Sequence, residues 1–546
     1  MGDMNLKICD MGKEGMVLRY AVPFFVALHG SYRLPKKTRE NACYERMSRL
    51  FEQSRAFRVA EKPRHESDAY EYIVESLLKD DEKNRNPGKN WTFDLKSLPA
   101  GYLNEQGQMT FRFRNKGNQK EMLVHMSDLG VYYFRTNVGI LWYELQLGDG
   151  KEAMDLEDIV YFQNKIKELH RADGTQLLLG TEGEKPKKYE SGKLLAQILE
   201  DLLAGDQPDP SQPHGEGKLA LHFFDPSFTK PKNDAQGNEI RPAREVPDKA
   251  IMFSYLLLDE TEDSEQHQQA VAEDAMADLE KAAYYFSNGY TSKYHISAAV
   301  RERMYEPFEG CRWFATRDGA GYFALRSEDN QIFYGQGLAG KIRVDYFLFF
   351  ILALHQSYAL NNYQRRITQE LSANPDSYLD EGVTGQKMEH LLSEINVFSM
   401  KSIYMSVSHV QHQNDFFEYL QSRLQVKEDM ESLSLGIESL TELSRLQKED
   451  SEKENEKKMN ALLGIISLLT VISALTDGVG LLGIYKEGLS DPGLTQTGFW
   501  ARFMEMVGSN PWYYGILAVF HVLLIAIFGY SLVRIVHLKS EKKDKN

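Results

Sequence analysis

The chain has 546 residues, 26% of them charged, with a formal net charge of −15 at pH 7. That length leaves room for two or three domains. The acidic balance excludes a general nucleic-acid binder, which would present a strongly basic face, so no direct nucleic-acid binding is expected. Cys9, Cys43 and Cys311 are too few and too scattered for a disulfide framework or a zinc site.

Met1–Glu14 lacks the apolar core of a cleavable signal peptide, and Val17–Val26, interrupted by Arg19 and Pro23, reads as a buried strand. Residues 1 to about 300 read as mixed α/β. Further strands are expected at Thr110–Arg114, Val131–Arg135, Ile140–Leu147, Leu219–Phe224 and Ile251–Leu258, from alternating or aromatic-rich runs. Helical patterns fall at Glu157–Leu169, Gly192–Leu203 and Glu265–Phe286, and polar surface loops at Ala204–Lys218 and Pro226–Lys249. Cys311–Thr316 and Tyr322–Arg326 flank an Asp318-Gly319 hairpin turn.

Beyond that hairpin the pattern becomes helical. Val344–Leu354, apolar apart from Asp345, is too short to span a bilayer and reads as a buried helix continuing through Arg365, followed by a second helix over Gln386–Val410. Val426, Met430, Leu433, Ile437 and Leu440 recur in a 4-3-4-3 rhythm, a coiled-coil seam. An unbroken helix from Asn414 to Tyr485 would run about 108 Å at 1.5 Å per residue. Ala461–Tyr485 and Trp512–Val533 are each long and apolar enough for a membrane span. Lys453, Lys457 and Lys458 before the first, and Arg534, Lys539, Lys542 and Lys543 after the second, place both termini in the cytoplasm. The expected fold is an α+β cytoplasmic domain, a long coiled-coil stalk helix and two C-terminal transmembrane helices. The boundaries are 1–342 for the ligand-binding domain, 343–458 for the stalk, 459–485 and 512–546 for the spans with a basic tail, and 486–511 for an outer loop.

Asn460, Ser467, Thr470, Ser473 and Asp477 share an arc of about 140° on the first span. A carboxylate within a span faces a bundle interior or water, so several copies around an axis would line a pore with this arc. The alternative is that the hydroxyls bond back to their own helix. Gly335-x-Gly337-x-x-Gly340 between a strand and a helix has the context of a phosphate cradle, with Lys341 adding charge at a helix N-terminus. No acidic residue stands at the spacing for a ribose contact, so a turn without ligand is the competing reading. Arg33, Lys36, Lys37, Arg112 and Arg114 are further candidates for an anionic ligand. His409, His412 and Asp415 could share a metal, but no second cluster completes the shell and metal ligands stay unassigned. No Walker loop, zinc-protease helix, triad elbow or nuclease cluster occurs, so no enzyme is expected.

A cytoplasmic domain, a stalk running into the first of two spans and a basic tail resemble, over Val344–His537, the CorA family of divalent-cation channels. The family's Gly-Met-Asn signature is absent, its position reading Gly483-Ile484-Tyr485, and the soluble region is longer than the family needs. Val131–Leu145 and Asp345–Leu360 look similar to a subset, the CorA-like membrane effectors that accompany type III CRISPR systems. The resemblance implies a homo-oligomer, most simply a homopentamer, in the bacterial inner membrane. Its first span would line the pore, and a nucleotide second messenger on the cytoplasmic domain would gate it in antiviral defence. The alternatives are a divalent-cation transporter, with the cation as its ligand, and a tail-anchored scaffold.

Overall fold

The structure, a computed structural model, describes residues 6–8, 15–29, 36–60, 67–78, 87–98, 102–104, 107–114, 121–147, 156–170, 177–179, 187–189, 191–206, 218–229, 232–233, 236, 239–241, 244–260, 268–290, 295–326, 337–373, 383–436, 438–439, 453, 456–467, 470, 512, 519, 522–523 and 526. The chain divides into two compact units, one of residues 1–374 and 387–437, the other of residues 375–386 and 438–546.

The first unit opens with β1 (Leu6–Ile8), β2 (Met16–His29), α1 (Lys36–Gln53), β3 (Phe57–Val59), α2 (Glu71–Leu78) and β4 (Gly88–Phe93). Next come β5 (Thr110–Arg114), β6 (Glu121–Phe134), β7 (Val138–Leu147), α3 (Leu156–Lys167), β8 (Leu177–Leu179), β9 (Lys187–Tyr189) and α4 (Ser191–Leu203). β10 (Lys218–Phe223) precedes two ribbons, β11 (Pro226–Thr229) with β14 (Arg244–Pro247) and, inside it, β12 (Lys232–Asn233) with β13 (Glu239–Arg241). β15 (Ile251–Glu260), α5 (Gln268–Asn288), α6 (Ala298–Arg301), β16 (Cys311–Ala315) and β17 (Gly319–Leu325) follow. The remainder is helical: α7 (Leu338–Lys341), a π-helical segment (Ile342–Tyr346), α8 (Phe347–Ala373), α9 (Val383–Ser402) and α10 (Gln411–Arg423).

Thirteen strands form one mixed sheet along the path β16-β17-β15-β2-β7-β6-β5-β8-β9. Its one parallel pair among the described strands is β15 with β17. Period-two alternation sends neighbouring side chains to opposite faces. Leu18, Tyr20, Val22 and Phe24 of β2 therefore join a core with α1, α3, α4 and α5, while Val17 and Ala21 join a second core with α2, α8 and α10. Burial on both faces explains why β2 and β7 read as nearly continuous apolar runs. Pro23 sits where this permits a missing donor. β15 pairs with β2 as far as Ala21, and β10 takes over at Phe24, so the proline falls between two partners.

Gly319 opens β17 where strand and helix crowd it. A Cβ there would stand 2.8 Å from the Met252 carbonyl oxygen and 2.9 Å from that of Ser287, backbone atoms that cannot swing aside. Gly319→Ala is therefore expected to lower stability by about 1–3 kcal/mol, read as a lower urea midpoint with an unchanged slope.

The helical region corrects the expected architecture. α10 ends at Arg423, Gln425 takes a left-handed φ of 58°, and the chain becomes helical again over 426–436, so there is no single stalk helix. A non-glycine residue at positive φ cannot continue an α-helix. The seam residues Val426 and Leu433 are buried within the chain itself, which removes them from an open coiled-coil stripe. Helix Gln386–Val410 also stops early, at Ser402. Among the described residues no helix is long and apolar enough to cross a membrane. That finding overturns the two-span fold and, with it, the ion-channel reading and the multi-pass inner-membrane localisation. Of Ala461–Tyr485 only 461–467 and Thr470 are among the described residues, in a helix from 456 that opens on Glu456, Lys457 and Lys458. Of Trp512–Val533 only five positions are.

Candidate functional site

The π-helical segment stands between two buried polar networks of the first unit. One extra residue per turn bulges the backbone, a feature that recurs at functional sites. Here the bulge aims Arg343 and Asp345 at two different networks. On one side Arg19 of β2 donates from Nε to Glu144 Oε2 at 2.7 Å, and Arg343 donates from Nε to Glu144 Oε1 at 3.0 Å. Arg19 also donates to the Arg343 carbonyl at 2.6 Å and lies 4.5 Å from the Phe347 ring centroid. Burial alone would raise the Glu144 carboxyl, but the two guanidiniums overcome it and hold the group below the ordinary carboxylate range. Asp128, in the same field, is raised, because its burial outweighs the pull of Arg19.

On the other side, fully buried Asp345 accepts from Ser67 Oγ and from the Asp68 amide at 3.2 Å. Burial raises its carboxyl, against the hydrogen bonds that lower it. Asp68 in turn is bound by Lys341 Nζ and by Gln413 Nε2, the latter at 3.0 Å, and its carbonyl accepts from Ser408 Oγ at 2.8 Å. Asn414 locks the adjoining loop, its Oδ1 accepting from the Val407 and Ser408 amides at 2.8 and 3.1 Å. The segment before α2, the π-helical segment and the start of α10 are thus one hydrogen-bonded unit. From it α8 crosses the sheet: Phe347 packs on Trp142 and Phe253, and eight residues later His355 stacks on Phe134 and bonds Thr136 Oγ1 at 2.9 Å. Complete burial pulls the His355 imidazole down to about 3, so it is neutral.

The residues singled out in the sequence do not converge. Lys341 belongs to the second network, where Asp68 occupies it. Gly337 and Gly340 lie in right-handed helical backbone, not in a left-handed nest, and Gly335 lies outside the described residues with the strand expected before it. Lys36 and Lys37 open α1, beyond the His29 end of β2, and Arg33 is outside the described residues. Arg112 and Arg114 lie on β5 opposite Leu123 and Glu121, and β6 runs eleven residues from Leu123 to Phe134, about 36 Å at 3.3 Å per residue. The basic candidates therefore sit at opposite ends of the sheet. His409 packs on Tyr70, and His412 on Phe308, while Asp415 accepts from Gln411; among the described residues no group of three could hold a metal ion. Asn460 and Ser467 are exposed on the helix over 456–467, and Thr470 Oγ1 donates to the Ile466 carbonyl at 2.8 Å, the local bond given above as the alternative. Ser473 and Asp477 lie outside the described residues.

Arg19, Glu144, Asp128 and Asp68 were missed by motif reading. The signal was present in two of them: one charge inside an otherwise apolar strand, as in Arg19 and Glu144 and likewise in Asp345 of its apolar helix, must find a buried partner. Compared with family models, curated proteins and solved structures, the chain matches none.

Proposed function

We propose that the first unit is a regulatory module that takes a small anionic ligand of the nucleotide class and transmits its binding along α8, without catalysis. The observation that carries this reading is the π-helical segment, clamped between two buried ionic networks at one end of a helix that crosses the sheet. A segment held away from ordinary α-helical register by side-chain bonds can serve as a two-state element, whose balance a ligand that favours one register would shift. A differential affinity of about 5.5 kcal/mol would invert a 1:99 population. The second-messenger ligand class, and an antiviral setting, rest on the resemblance of residues 131–145 and 345–360. These two segments pack together, Phe134 on His355 and Trp142 on Phe347. The hub's carboxylates are all engaged by cations or amides, which supports regulation over catalysis.

Calorimetry of the full chain with a panel of linear, cyclic and adenylated adenosine phosphates, paired with hydrogen exchange, tests the proposal. The expected result is one binder that slows amide exchange in α8 and over 342–346. A panel without a binder, or a binder that alters exchange only at its own contacts, overturns it.

A further inference from the structure

The far end of α8 carries an arginine whose Nε is buried without a hydrogen-bond partner among the described residues. From Phe347 to Arg365 the helix runs 18 residues, about 27 Å at 1.5 Å per residue. That brings it from the Arg19–Glu144–Arg343 network to the opposite end of β2. There the Arg365 guanidinium lies 3.8 Å from the centroid of Phe25. It is half-buried, and one terminal nitrogen donates to Asn362 Oδ1 at 3.0 Å. Its Nε is buried and donates to nothing among the described residues. Burial, followed by the charge of Arg366, lowers its hold on the proton, against the smaller opposite pull of Glu245.

The carboxylates nearby are committed elsewhere. Glu245 accepts from His222 Nδ1 at 3.0 Å and from the Phe223 amide at 3.0 Å, and Glu394 pairs with Arg366 at 2.5 Å. Among the described residues Arg365 forms no ion pair, and a half-buried guanidinium with a spare donor gains from an anion that joins it. Aromatic surface adjoins it. His222 stacks on Phe25 with ring centroids 5.0 Å apart, Phe224 meets Phe25 edge-on at 5.3 Å, and Phe224 faces Tyr358 at 4.7 Å, both of the last two half-buried. Arginine beside aromatic faces suits a ligand with a phosphate at one end and a planar ring at the other.

We infer that Arg365 is the anion anchor of a ligand site at this end of the sheet, with Phe224 and Tyr358 supplying the faces for a planar ring, so that the site takes a ring-bearing phosphate. This rests on the regulatory reading above and gives it an entry point. The phosphate completes the donors of Arg365, and the event begins at the end of α8 opposite the π-helical segment. None of the basic residues singled out in the sequence carries it.

The test is calorimetry on the full chain with AMP, adenosine and inorganic phosphate, for wild type, Arg365→Gln and Tyr358→Leu. AMP is expected to bind at least tenfold more tightly than adenosine or phosphate alone. Arg365→Gln should weaken AMP by at least tenfold while the melting temperature holds or rises, since an uncompensated charge is removed. Tyr358→Leu should weaken AMP and leave phosphate unchanged. If Arg365→Gln does not fold, Arg365→Lys, which keeps the charge and loses the planar fork, carries the comparison with an intermediate loss expected. Undiminished AMP binding by the Arg365 variant overturns the site and leaves the regulatory reading standing. Absence of AMP binding to wild type also overturns the site, and the regulatory reading falls with it only if the whole adenosine-phosphate panel fails as well.

Discussion

Glu144→Gln should destabilise the first unit by about 3 kcal/mol, the lower end of the range for breaking a buried ion pair. The substitution keeps the shape of the side chain and removes the charge that two guanidiniums share, at 2.7 and 3.0 Å. Arg19, with 8% of its side chain exposed, cannot reach water, whereas Arg343 at 24% can partly do so. Asp128 lies within the field of Arg19 and takes up part of the loss, which is why the lower end is expected. Urea titration of the two proteins gives the difference. A double variant, Arg19→Met with Glu144→Leu, should recover part of it, because apolar side chains of similar volume replace the most buried pair and leave only the part-exposed Arg343 and Asp128 without their partners. A double variant as unstable as the single one would mean that the network's geometry, not its charge, holds this corner.

The same network fixes a pH dependence. Glu144 has a depressed native value, so its contribution is present above the unfolded value of about 4.3 and is lost as pH falls through the native value. The penalty of Glu144→Gln should therefore be full at pH 7 and shrink below pH 4. Asp345 and Asp128 act with the opposite sign. Their native values are raised, so the folded form holds those protons more tightly and stability falls as pH rises through that window. Asp345→Asn should flatten that part of the wild-type profile; a profile unchanged there would locate the effect elsewhere.

Strands are the part of the fold most legible in the sequence. Ile251–Leu258 and the Asp318-Gly319 hairpin match β15 and β16–β17 closely, because strands buried on both faces leave long apolar runs between turn residues. The helices at Gly192–Leu203 and Glu157–Leu169 match α4 and α3 to within two residues at each end. The first half of β6 is obscured by His125, Ser127 and Asp128; His125 and Ser127 find cross-strand partners only after the sheet forms, and Asp128 accepts from the adjacent Leu129 amide. α1 is hidden in a charged segment, although Cys43, Tyr44, Met47, Leu50 and Phe51 do recur at helical spacing and are all buried. The hub is harder to read, since its bonds join residues 125 and 199 positions apart and only sheet order brings them together. The stalk fails for a local reason: a seam of apolar residues is compatible with one straight helix or with two joined by a turn, and Gln425 at positive φ decides for two.

Phe416 is where a loss at least as large is expected. Its ring, fully buried on α10, meets Trp313 at 5.0 Å and 77° and Tyr346 at 5.0 Å and 64°. It therefore joins β16 to the last residue of the π-helical segment. Nearby, Tyr419 accepts from the Ala315 amide at 3.1 Å and donates to the Arg303 carbonyl at 2.9 Å, so α10 is docked by shape and by hydrogen bonds together. Phe416→Ala should cost about 3–5 kcal/mol, the transfer term plus the cavity left against Trp313 and Tyr346. Phe416→Leu, which fills most of the volume, should cost less. Hydrogen exchange separates docking from general loosening. If α10 is held through this ring, amides of residues 411–423 and of the π-helical segment should exchange faster in Phe416→Ala than those of β2 and β7, whose core lies mostly on the other side of the network. Uniform acceleration across the sheet would mean that α10 unfolds only with the whole unit. The helix could not then move independently, and coupling from α8 would have to leave by another route.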